Sequence, residues 1–166
     1  MNYTFKGKRI RLATQVLELP NALRVTLDVI EHPGASLIVP FLDSKTIIMI
    51  KQFRPVMSQY LYELPTGTID ANETPLACVK REIIEETGFS AKKVSFLGKI
   101  YPVPSYSTEI IHIFKGERLQ KEEMKNEPDE IIEVIALKKN QVKRLFKKRK
   151  ILDAKTICAL TYCGWL

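Results

Sequence analysis

Three carboxylates within five residues mark the stretch REIIEETGF: Glu82, Glu85 and Glu86, with Gly88 following. Like charges this close repel one another. On a helix Glu82 and Glu86 stand at i, i+4, one turn apart. At 100° per residue, all three acids fall within about a third of the helix circumference. A solvated acidic face is the ordinary reading of such a pattern, and a cation seated between the carboxylates is the functional one. Hard oxygen donors without Cys or His favour Mg²⁺, with Mn²⁺ as a substitute. Arg81, four residues before Glu85, is placed to hold that carboxylate, supporting the ligands without joining them.

The acids need a helix to hold them, and the flanking residues supply one. Thr74 is a suitable N-cap and Pro75 a suitable first helical residue. Leu76, Val79, Ile83 and Thr87 recur at helical spacing, and Gly88 is a stop signal. The spacing predicts that this apolar stripe is buried and that the acids point away from the core.

Upstream, RIRLATQVLEL and ALRVTLDVIEH alternate apolar with polar residues around Pro20-Asn21 and predict a β-hairpin. His32-Pro33-Gly34-Ala35 reads as a turn. SLIVPFL and TIIMIKQF then predict buried strands around Asp43-Ser44-Lys45. YLYELP is a short strand entering the loop TGTIDAN. Downstream of the helix, KVSFLGKIYPV, TEIIHIF and EIIEVIAL are strand-like, and KKNQVKRLFKK and ILDAKTICALTYC predict two closing helices. Strands on both sides of a central helix indicate an α/β sandwich with a mixed sheet.

The chain's 166 residues suit one domain with a real core. No apolar run is long enough for a membrane span, and MNYTFKGKRIRL lacks the apolar centre of a secretory signal. Cys78, Cys158 and Cys163 are an odd number without CxxC spacing, which reads as reduced thiols in a cytoplasmic protein. The net charge of +7 is local: residues 138–155 hold nine Lys/Arg against Asp153, leaving −1 for the rest. A solvated helix face explains that run, so a nucleic-acid partner is not expected.

From Gly67 the chain runs GTIDANETPLACVKREIIEETGF. Glycine, five residues, glutamate, seven residues, then Arg-Glu-apolar-x-Glu-Glu-x-Gly-apolar resembles the Nudix box at all its defining positions. At ordinary residue frequencies the chance of such a match is about 10⁻⁷. The resemblance implies the Nudix fold, an α/β/α sandwich with a mixed β-sheet. It also implies hydrolysis of a nucleoside diphosphate linked to another moiety. By position, it makes Glu82 and Glu86 metal ligands, with Glu85 contributing directly or through water. Glu73, Arg81 and Gly88 become supports of the box, and Gly67 the residue that permits a tight entry turn.

Four further stretches resemble the ADP-ribose pyrophosphatase branch of that family: HPGAS, KQFRP, YELPTG and YPVPSYSTE. They imply that Arg54 contacts phosphate, that Glu63 reaches substrate and that the Thr66 carbonyl joins the metal shell. Pro104 and Glu109 belong to a substrate-binding loop on this reading. Ser105 and Thr66 depart from the branch, which commonly has glycine and alanine there. The segment KNEPDEIIEV sits where the family carries a mobile acidic loop. Glu130 is the first choice for catalytic base, then Glu127, then Asp129. His32 and His112 read as structural. The branch also implies a homodimer in which residues 1–32 form a strand segment reaching the partner, with Phe5 stacking on adenine, and residues 33–166 form the hydrolase domain. Alternative substrates are GDP-mannose, NADH or a 5′-triphosphate RNA end; a non-catalytic nucleotide sensor is the reading outside enzymology.

Overall fold

The structure is a computed structural model and describes residues 2–7, 10–124 and 130–166. The chain opens with β1 (Asn2–Lys6), β2 (Arg11–Glu18) and β3 (Arg24–Glu31), an antiparallel sheet in the order β1-β2-β3. The hairpin expected around Pro20-Asn21 is present, with Ala22 N–H donating to the Leu19 carbonyl at 2.9 Å. β1 carries no turn signal of its own and was not foreseen as a separate strand.

Next come β4 (Ala35–Pro40), β5 (Thr46–Arg54), β6 (Gln59–Glu63) and β7 (Thr66–Thr68). The helix α1 (Pro75–Thr87) leads into β8 (Phe89–Ile100), β9 (Ile111–Lys121) and β10 (Ile132–Lys138). Two helices, α2 (Lys139–Lys147) and α3 (Ala154–Tyr162), close the chain. β7, β4, β9 and β8 form one sheet, in which β4 runs parallel to β9 and antiparallel to β7. β10, β5 and β6 form a second, antiparallel sheet.

All six residues of β4 are buried, and the apolar run Leu37-Ile38-Val39 suits a strand covered on both faces. Leu37 and Val39 pack with Val142 of α2, Ala159 and Leu160 of α3, and Trp165. Ile38 points the other way, against Val79 and Ile83 of α1 and Phe114 of β9. Helix, sheet, helix is therefore the layering, and the mixed α/β/α sandwich is as expected. Each of these fully buried aliphatics contributes up to about 1.5–3 kcal/mol.

The ends of α1 follow the sequence signals. Thr74 Oγ1 accepts the Ala77 N–H at 3.1 Å, Pro75 begins the helix, and Gly88 closes it at φ 66°. Two expectations about its faces are corrected. Leu76 is exposed although its angle lies between those of Ile83 and Thr87, so the first turn overhangs the layer that the later turns pack against. Glu86 does not point away from the core: it is 3% exposed. Its position is about 20° around the helix from Val79, which places it at the edge of the buried face. A third correction concerns TGTIDAN, whose first three residues extend the sheet as β7.

The N-terminal sheet is tied to the sandwich where β3 meets the segment before β9. Ile30 N–H donates to the Tyr106 carbonyl at 2.7 Å, and Thr108 N–H donates to the Ile30 carbonyl at 3.0 Å. That junction brings the hairpin alongside the face that carries the acidic helix.

Candidate active site

A cleft of about 1540 Å³ opens between the N-terminal sheet, α1 and the start of α3. Glu82, Glu85 and Glu86 line it from α1, with Thr66 and Gly67 of β7 beside them. Glu130, at the approach to β10, lies on the same cleft, as do Arg54 and Glu109. Residues predicted from five separated stretches are thus brought to one surface. Glu127 and Asp129 lie outside the described residues.

Arg81 organises the acidic helix. Its Nε and Nη2 donate to the two oxygens of Glu73 at 3.0 and 2.9 Å. Its Nη1 donates to Glu82 Oε1 at 2.6 Å and Glu85 Oε2 at 2.9 Å. The guanidinium thus ties the loop residue Glu73 to the helix acids, and it bridges Glu82 as well as Glu85. Glu73 in turn accepts the Asp70 N–H at 3.1 Å, which fastens the loop before the helix.

Glu86 accepts the Thr66 N–H at 2.9 Å, linking the helix to β7. Burial drives its carboxyl well above the ordinary range, and the charges of Glu82 and Glu130 add to that. Burial likewise lifts Glu82, to about 6, against the opposing pull of Arg81. Both sites penalise the charged form of the acid, a penalty that further positive charge would offset.

The expected role of Gly67 is corrected. Its φ is not in the left-handed region, so no tight turn demands it. The space that a Cβ would take is filled instead by the side chain of Glu82. Glycine is required here by close approach.

Glu63 also differs from expectation. It is 1% exposed, and its two oxygens accept Arg54 Nε at 2.8 Å and Arg54 Nη2 at 2.7 Å. Lys155 Nζ donates to the same Oε2 at 2.7 Å. Burial alone would raise this carboxyl, but the hydrogen bonds and charges of Arg54 and Lys155 outweigh it and hold the pKa below the usual value. Glu63 is turned away from the cleft and aims two cations that face it.

Pro104 sits in an exposed turn and is not on the cleft wall; Pro102 of the same loop is. Phe5 is exposed on β1 and does not line the cleft; Gly7 and Arg11 bring the N-terminal segment to it. Gly88 ends α1, accepts the Glu122 N–H through its carbonyl and does not line the cleft. His32 Nδ1 accepts the Gly34 N–H at 3.0 Å, and His112 is packed against Phe96. His32 also lines the cleft, its Nδ1 3.8 Å from Glu109 Oε1, so of the two His112 alone lies off the cleft wall; burial holds His112 below its ordinary pKa.

Sequence reasoning missed Lys155 and Asp153 at the cleft. Lys155 was counted within the basic run 138–155, and nothing in spacing could pair it with Glu63, 92 residues away.

A family model, the NUDIX domain, matches residues 31–160, most of the chain. This chain belongs to the Nudix family. It is 36% identical over 160 residues to an ADP-ribose pyrophosphatase of Bacillus subtilis (strain 168), covering 95% of this chain and 86% of that protein. It is 29% identical to a methanol dehydrogenase activator of Bacillus methanolicus over the same shares of the two chains. A GDP-mannose pyrophosphatase of Citrobacter koseri is 33% identical, covering 81% of this chain and 79% of that one. A solved structure described as an ADP compounds hydrolase shares the fold, with a TM-score of 0.82 at 22% identity, covering 98% of this chain and 89% of that chain.

Nudix hydrolases generally use divalent metals. The donor set of this Nudix chain fits such an ion: the carboxylate oxygens of Glu82, Glu85 and Glu86, two of them in sites that disfavour their charge. Among the described residues no three such groups already converge as a ligand shell. Arg81 Nη1 bridges Glu82 and Glu85. No helix among the described residues is long and apolar enough to cross a membrane.

Proposed function

We propose that this Nudix chain hydrolyses the diphosphate bridge of ADP-ribose to AMP and ribose 5-phosphate, with Mg²⁺ as cofactor and Mn²⁺ as a substitute. The observation that carries the reading is one cleft that joins a complete Nudix box to the Arg54 wall. The similarity over 95% of the chain to an ADP-ribose pyrophosphatase supports it.

Glu82 and Glu86, with Glu85 and the Thr66 carbonyl, are the residues that would hold the ion. Bound there, Mg²⁺ supplies charge neutralisation at the diphosphate and acidifies water. Thr66 N–H fixes Glu86, and Arg81 fixes Glu85. Arg54, held by Glu63, presents its remaining N–H groups to a phosphate. Glu130 orients or deprotonates the attacking water, and Glu109 contacts the substrate. Attack on the adenosyl-side phosphorus is the expected course; ¹⁸O from labelled water should then appear in AMP.

The N-terminal sheet is read as a dimer contact that helps form the adenine pocket. Support comes from the exposed apolar side chains it carries, among them Phe5, Val16, Leu23 and Leu27. Sedimentation at micromolar concentration should give a dimer; a monomer removes this part.

The deciding assay offers ADP-ribose, GDP-mannose, NADH, diadenosine polyphosphate and 5′-triphosphate RNA in parallel with Mg²⁺ and compares kcat/KM. ADP-ribose should rank first. GDP-mannose is the second reading, favoured by the 33% identity to a GDP-mannose pyrophosphatase. If ADP-ribose ranks last, the substrate assignment fails while the hydrolase assignment stands.

A further inference from the structure

The first turn of α3 belongs to the cleft, and its frame is rigid. Asp153 caps the helix by accepting the Thr156 N–H at 3.0 Å. Thr156, fully buried, accepts the Leu64 N–H on Oγ1 at 2.9 Å. The neighbouring pair, Lys155 and Glu63, repeats the link at 2.7 Å. Two adjacent contacts therefore fasten α3 to the end of β6. The Leu64 carbonyl accepts Thr66 Oγ1 at 2.7 Å, and Thr66 N–H reaches Glu86. Lys155 is thereby held in a fixed relation to the acidic helix.

Donors and acceptors are not balanced at this point. A lysine ammonium has three protons, of which Lys155 spends one on Glu63 Oε2 and one on Asp153 Oδ1, both at 2.7 Å. One proton is left, and the side chain, 19% exposed, lines the cleft. Arg54 spends two of its five N–H groups on Glu63 and also lines the cleft. Its Nη2 and Lys155 Nζ meet at the same Glu63 Oε2, so the two cations stand within two hydrogen-bond lengths of each other. Glu63 has no comparable exposure, and Asp153 spends both oxygens on Lys155 and Thr156. The acceptors are already engaged, Glu63 behind the wall and Asp153 within it, while unused charged donors face the cleft.

A counter-ion for a buried carboxylate needs no such arrangement, since Arg54 alone makes a bidentate pair with Glu63. We propose that Lys155 is a substrate-binding residue that acts with Arg54 as a fixed pair of cations on the non-bridging oxygens of the diphosphate, with Glu63 as the residue that positions both. This deepens the diphosphate reading above and rests on it.

The test is calorimetric titration of inorganic pyrophosphate in Mg²⁺, with wild type, Lys155→Met and Lys155→Arg, alongside steady-state hydrolysis of ADP-ribose. A lost charge-assisted hydrogen bond should weaken pyrophosphate binding about tenfold in Lys155→Met. KM for ADP-ribose should rise by more than kcat falls, and Lys155→Arg should restore most of both. A purely structural lysine would lower Tm and leave the affinity and KM of the folded variant unchanged, which overturns the proposal. A wild-type protein that does not bind pyrophosphate overturns it too. Should Lys155→Met fail to fold, acetylation of Lys155 in the wild type, read by peptide mass spectrometry, replaces it. Pyrophosphate should protect Lys155, and equal labelling with and without it refutes the role. Lys155-dependent pyrophosphate binding in a protein inert to ADP-ribose would sink the substrate assignment and keep the cation pair.

Discussion

A methyl group on Gly67 would lie 1.6 Å from Oε1 of Glu82 and 1.8 Å from its Cδ. The side chain of a metal-ligand candidate thus runs through the space that any other residue at position 67 would need. Gly67→Ala must push Glu82 out of line while leaving the strand and helix that frame it. Turnover of ADP-ribose should fall at least about 10²-fold, as expected when a charged group is misplaced at the reacting centre. Circular dichroism should remain that of the wild type. Retained activity would show that Glu82 has no fixed part in the chemistry.

Glu86→Gln removes charge at nearly constant volume and leaves an amide able to face the Thr66 N–H. A fall in kcat of at least about 10²-fold is expected, with the fold intact. Glu117→Gln is the matched control. Glu117 pairs with Lys93 at 2.9 Å and Lys115 at 2.8 Å, away from the cleft, and its loss should leave turnover within about twofold.

The pH dependence of the metal-free protein follows from the raised carboxyls. Glu82 and Glu86 bind a proton more tightly folded than unfolded, so their contribution to stability is full below the ordinary value of 4.5. It is lost as pH rises, through about 6 for Glu82, and Glu86, also raised, acts in the same direction. For Glu82 this amounts to about 2 kcal/mol. In EDTA, Tm should decline from pH 4.5 to 7.5; with Mg²⁺ the decline should flatten. The Glu82→Gln, Glu86→Gln double variant should show neither the slope nor the metal effect, which separates these two acids from the histidines.

Cys78 is buried against the Gly67 and Thr68 carbonyls, and burial pushes its thiol up to about 12. In the native protein at pH 8 it should resist Ellman's reagent for hours and react fully once guanidinium unfolds the chain. Peptide mapping would locate the label. Rapid native labelling of Cys78 would mean that α1 opens readily from β7.

How much of this was legible in the sequence depends on the range of the interactions involved. The box helix was readable because its cap, its first proline, its apolar spacing and its terminal glycine all act within a few residues. Strand β4 was readable because burial on both faces leaves a continuous apolar run. Leu76 shows where periodicity stops: angle is encoded locally, but whether a neighbour reaches that far along the axis is not. Gly67 was assigned the wrong reason because a turn is a local explanation and a side chain arriving from a helix fifteen residues on is a tertiary one. The Glu63 network was invisible for the same cause, since Arg54, Glu63 and Lys155 lie on three elements. Glu63 was therefore read as a substrate contact when its partners are protein.

The parallel pairing of β4 with β9 has a consequence during synthesis. Ala35 finds Ile111, and Pro40 finds Gly116, only after the whole box has been translated between them. Until then one edge of this wholly buried strand stays open, with only β7 able to cover the other. The nascent protein must carry that exposed edge while α1 is already competent to form, so a ribosome stalling before residue 116 would leave an aggregation-prone intermediate with its acidic helix in place and its sheet unfinished.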